Sequence, residues 1–103
     1  MENEVNILAE EKPKSITLSD GKEYKLPVIN LTTLANVEKS MGFGLGRLQN
    51  KLETETVTTM RSLIYALLKE ENHNLDIDTV GKLITLKEMS AISSTISEIM
   101  AMS

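Results

Sequence analysis

Cysteine is missing from the 103 residues altogether. That excludes disulfides, thiolate metal ligands and a thiol nucleophile, and it suits a reducing compartment. Tryptophan is also absent, and Tyr24, Phe43 and Tyr65 are the only aromatic residues. Rings dominate specific pockets and the stacking platforms of single-strand nucleic-acid binders, so their scarcity counts against both. Basic residues do not cluster beyond Lys12 and Lys14, and 15 acidic side chains outweigh 11 basic ones for a net charge of −4. Nucleic-acid affinity needs phosphate neutralisation, which such a surface does not supply. No apolar run nears the ~20 residues of a membrane span. The opening Met1-Glu2-Asn3-Glu4 is acidic where a signal peptide is basic. The expectation is one soluble domain that stays where it is made, with neither a nucleic-acid nor a membrane partner.

What is present is a 41% hydrophobic content built from Leu, Ile, Val and Met, enough for one modest core. Residues 1–14 read as a flexible arm. In it Glu2, Glu4, Glu10 and Glu11 surround the apolar patch Val5, Ile7 and Leu8, which could dock onto a neighbouring subunit. Residues 15–103 read as a single helical domain with an N-terminal β-hairpin. From Ser15 to Leu26 the hydrophobic period is two, broken by Asp20-Gly21, a hairpin signal. A two-residue loop would throw Ile16/Leu18 and Tyr24/Leu26 onto opposite faces. A Ser19-Asp20-Gly21 loop with left-handed Gly21 pairs Ile16 with Tyr24 and leaves one apolar face, so that turn is preferred.

After Pro27 the period becomes helical. Leu31, Leu34, Val37 and Met41 form one stripe, with Asn30 or Thr32 as the N-terminal cap and Gly42 as the C-terminal one. A flexible connector from Gly42 to Gly46 runs into a short helix carrying Leu48 and Leu52. The helix from about Thr56 to Glu71 presents Val57, Met60, Leu63, Ile64, Leu67 and Leu68 as a core face. Asp76 caps the next helix, with Leu75 and Val80 as a hydrophobic staple. Thr85-Leu86-Lys87-Glu88 matches a capping box that opens a last helix with Met89, Ile92, Ile96, Ile99 and Met100 on one side. The fold class expected is α+β and mostly helical, a β-hairpin followed by a bundle of four to five short helices.

No constellation for catalysis, cofactor or metal stands out. His73 is the single histidine, set between two asparagines, and no nucleophile–base arrangement closes around it. The glycines at 42, 44 and 46 follow a helix, whereas phosphate-cradling glycines follow a strand. Capping and a connector explain them, with a hinge as the alternative. Asp76, Asp78 and Gly81 echo a calcium loop, but Val80 stands in a ligand slot and Lys87 at position twelve. The expectation is a non-enzymatic protein whose apolar faces bind other proteins. Phe43, Leu45, Leu48 and Leu52 exceed what a connector needs. With Met100 and Met102 near the chain end they are the candidate partner-binding residues, the alternative being that the first four simply cover the hairpin.

The order of parts is suggestive: the hairpin SITLSDGKEYKLP, the helix LTTLANVEKSMG, a glycine-broken connector, the helix TMRSLIYALLKEE and the pair LDIDTVGKLITLKEMSAISSTISEIM. Over residues 15–100 this resembles the tail assembly chaperones of long-tailed (siphovirus-type) bacteriophages. The resemblance implies a protein of the host bacterial cytoplasm that self-associates into a homo-oligomer. It would coat the tape measure protein during tail morphogenesis until tail tube protein subunits displace it, and it would be absent from the virion. In many relatives a ribosomal frameshift appends a second domain, and a chain ending at Ser103 would fit the shorter product. Two other readings stay open: a tail or head–tail completion protein retained in the virion, and a small helix-turn-helix regulator. The second suffers because its recognition helix, EMSAISSTISEIM, is not basic.

Overall fold

A computed structural model describes residues 15–102, excepting the side chains of Thr95 and of residues 98–102. The arm expected at residues 1–14 lies outside the described residues. Strands β1 (Ser15–Thr17) and β2 (Glu23–Lys25) form an antiparallel hairpin. The five α-helices that follow are α1 (Leu31–Met41), α2 (Leu48–Thr54), α3 (Thr56–Leu68), α4 (Ile77–Leu83) and α5 (Leu86–Met102), with a 3-10 turn at Leu45–Arg47 before α2. The mostly helical α+β class expected from the sequence is therefore the one observed. Among the described residues no helix is long and apolar enough to cross a membrane.

The hairpin register follows from keeping its aliphatic residues on one side. Ile16 pairs with Tyr24, Ser15 with Lys25 and Thr17 with Glu23. The loop closes as the three-residue form requires: the Leu18 amide donates to the Lys22 carbonyl at 3.1 Å and the Gly21 amide to the Leu18 carbonyl at 2.9 Å. Gly21 takes φ +80°, a backbone state that costs a Cβ-bearing residue energy. Asp20 completes the turn, accepting from the Lys22 amide at 3.0 Å and from the Tyr24 hydroxyl at 2.5 Å. Leu18 and Leu26 are buried, with Ile16 and Tyr24 half-buried beside them. The hairpin is tied down at both ends. The Ser19 amide donates to the Leu83 carbonyl at 3.1 Å. The Asn72 side-chain amide donates to the carbonyls of Lys25, at 3.0 Å, and Leu68, at 2.7 Å.

Helix α3 is the centre of the molecule, and α1, α2 and α4 all pack on it. Its Leu63, Leu67 and Leu68 are essentially inaccessible, and Val37 of α1 and Val80 of α4 close over them. Asn30, the cap of α1, accepts from the Thr33 amide at 2.9 Å. Asp76, the cap of α4, accepts from the Thr79 amide at 2.8 Å. Gly42 ends α1 at φ +88° and returns its N–H to the Glu38 carbonyl. Glu88 accepts from the Thr85 amide at 2.7 Å, so the box predicted at the start of α5 is formed on its carboxylate side. Helix α5 leans across β1 and contributes Ile92 and Ile96 to the core.

One expected helix face and one expected helix end need correction. Leu31 is 84 % exposed rather than part of the α1 stripe. Successive residues turn by roughly 100°, and the face that packs is that of Thr33, Leu34, Val37 and Met41, about a quarter-turn away. Helix α3 ends at Leu68 rather than Glu71, because the Glu70 and Glu71 amides donate to carbonyls three residues back, those of Leu67 and Leu68, at 3.3 Å each, and the chain continues as turns.

Candidate functional site

Helix α3 presents more apolar surface than its neighbours cover. Val57 lies on the same angular face as Met60, Ile64 and Leu68, yet it is 79 % exposed, because it sits in the first turn, beyond the reach of the packed elements. Opposite it, the chain leaves α4 at Ile84 in extended conformation and re-enters a helix at Leu86, which is 92 % exposed. Between them runs an open groove of about 400 Å³, floored by Met60, Ile64, Ile84 and Met89 and rimmed by Val57 and Leu86. Two of the four large aliphatic side chains most exposed among the described residues thus rim one concavity. The other two, Val28 and Leu31, are not part of its lining.

The groove contains one guanidinium. Arg61 of α3 lines it, and its stem lies against Gly81 of α4, where an added Cβ would come within 2.8 Å of the arginine Cδ. A glycine inside a helix costs about 1 kcal/mol relative to alanine. Here it leaves room for Arg61 to cross the α3–α4 contact. Thr85, also in the lining, has its hydroxyl hydrogen-bonded to the Glu88 carboxylate. That contact, and then the bond from the Thr85 amide, hold the Glu88 carboxyl below the ordinary value of 4.5. A ligand in this groove meets aliphatic and thioether surface with a single cation at its side. Among the described residues no three His, Asp or Glu side chains gather to hold a metal ion.

The residues singled out from the sequence are placed differently. Leu45 is 8 % exposed and Leu48 1 % exposed, so neither faces a partner. Nor is the hairpin what this segment chiefly covers: α2 packs on α3, and the buried leucines complete that side of the core. Phe43 and Leu52 are half-buried against the same core, and the Lys51 ammonium lies 5.5 Å from the Phe43 ring centroid. The side chains of Met100 and Met102 lie outside the described residues. The connector is pinned, not loose: the Leu45 amide donates to Glu38 Oε2 at 2.7 Å. His73 is exposed.

Sequence reasoning found the pieces of the groove without joining them. Val57 stood in the α3 stripe and Leu86 inside the capping box. No signal in the sequence joins them, because periodicity does not show which turn of α3 finds cover. No protein-family model matches the sequence, and neither the curated proteins nor the solved structures yield a match to it.

Proposed function

We propose that the protein is a non-enzymatic tail assembly chaperone of a long-tailed bacteriophage, acting in the host bacterial cytoplasm, self-associating and holding the tape measure protein until tail tube subunits take it over. The observation that carries this reading is the open apolar groove rimmed by Val57 and Leu86. An amphipathic helix docks by laying side chains at i, i+3, i+4 and i+7 into such a channel, and a long helical client offers that pattern repeatedly. Methionines in the floor, Met60 and Met89, suit a site that accepts varied side chains, since the thioether chain adapts its shape. Arg61 adds preference for clients with acidic residues flanking the apolar anchors. The order of hairpin, helices and caps, which resembles that chaperone family, supplies the biological setting.

Co-expression with the tape measure protein of the same phage tests the reading. The expected result is copurification together with rescue of client solubility. A protein that stays apart from its client, or that mass spectrometry finds at stoichiometric copy number in purified virions, would overturn it.

A further inference from the structure

The groove asks for an apolar segment with negative flanks, and the chain itself carries one. Arg61 is the charged residue among the described groove-lining side chains, and the exposed Lys82 and Lys87 directly follow lining residues Gly81 and Leu86; Glu88, the one acidic residue directly next to a lining position, has its carboxylate engaged by the Thr85 amide and hydroxyl. Residues 2–11 place Val5, Ile7 and Leu8 between Glu2 and Glu4 on one side and Glu10 and Glu11 on the other, with no Lys or Arg among them. The geometry points to the Val5–Leu8 stretch as the resident occupant of this groove within the same chain, its glutamates toward Arg61, Lys82 and Lys87, so that a client binds by displacing it.

Reach supports the assignment. The seven residues from Leu8 to Ser15 span up to about 23 Å when extended. Ser15 opens β1, whose Ile16 shares a small void with Ile64 and Ile92. Ile64 also lines the groove, as does Met89, one helical turn before Ile92. The groove and the void beneath β1, the strand that follows the arm, therefore share Ile64 as a wall. Its volume of about 400 Å³ leaves room for aliphatic side chains, an apolar cavity of about 150 Å³ being enough for a benzene molecule. A short tether gives an effective concentration of roughly millimolar order, so a weak apolar contact keeps the groove filled while a stronger client displaces it.

The inference rests on the groove being a docking site, not on the identity of the client. Because the chain has no cysteine, full-length protein carrying Ile7→Cys with Leu86→Cys reports arm position without background. Ile7→Cys with Leu31→Cys is the control, since Leu31 is similarly exposed but outside the groove. Under mild oxidation at low protein concentration, the intrachain disulfide to position 86 should form at least about tenfold faster than that to position 31, the tether's effective concentration being focused on one site. Arg61→Glu should slow it several-fold. Equal rates at the two positions, or a position-86 disulfide that forms only between chains, would overturn the inference. Both partner sites are exposed, so folding of the variants is not at issue. Client capture by the unmodified protein is scored separately. Capture without cross-linking sinks the arm assignment alone, and cross-linking without capture sinks the client instead.

Discussion

Leu48 opens α2 with 1 % of its surface exposed, and Leu86 opens α5 with 92 % exposed. Removing a buried leucine loses transfer energy and leaves a cavity, so Leu48→Ala should lower stability in a urea titration by about 2–5 kcal/mol. Leu86→Gln and Val57→Gln remove side chains that water already surrounds. Each should shift the same titration by less than about 0.5 kcal/mol while weakening client capture. At Gly42, φ +88° with open space around the Cα makes the effect purely conformational, and Gly42→Ala should cost about 1–2 kcal/mol. Three carboxyls are held below their ordinary values: Asp20 first by the Tyr24 hydroxyl, Asp76 first by the Thr79 amide, and Glu88 first by the Thr85 hydroxyl. Their folded-state values lie below those of the unfolded chain. Their stabilisation is therefore complete above the ordinary values of 3.8 and 4.5 and is lost as pH falls through the depressed ones. Thermal melts should show a midpoint flat near neutrality that drops on acidification below about pH 4, less steeply in Asp76→Asn.

At the scale of elements, the boundaries rest on caps a few residues long, and these were legible in the sequence. The hairpin register followed from a period of two and the left-handed preference of Gly21. Gly42, Asp76 and the Thr85–Glu88 pair announced helix ends because each acts on backbone groups within four residues. Asn30 caps α1 and also sets Thr33, whose hydroxyl donates to the Val28 carbonyl at 2.7 Å. Asn30→Ala should lower stability by about 1 kcal/mol in denaturant titration. What escaped the sequence is what depends on a distant neighbour. Periodicity shows that Leu31, Leu45, Leu48 and Val57 are apolar and in or near helices, but not which faces find cover. Leu45 and Leu48 find it on α3, whereas Val57 and Leu31 do not. The Asn72 clamp joins residues 47 apart in the chain, and the fit of Arg61 over Gly81 exists only once α3 and α4 pack together.

For the whole molecule, one helix serves two purposes. The C-terminal two-thirds of α3 carries Leu63, Leu67 and Leu68 at the bottom of the core, while its first turn projects Val57 past the core to the edge of the open groove. The proposed chaperone role would need that division: a saturated interior for stability and a separate apolar surface for exchangeable partners. The central claim is that the groove captures the client. Its most direct measurement compares wild-type protein with the Val57→Gln/Leu86→Gln double variant, each co-expressed with the tape measure protein and purified by a tag on this chain. The account predicts that client recovery falls by about tenfold or more, the loss of roughly 1.4 kcal/mol of binding, while the variant melts like wild type. Undiminished recovery by a folded double variant would contradict it.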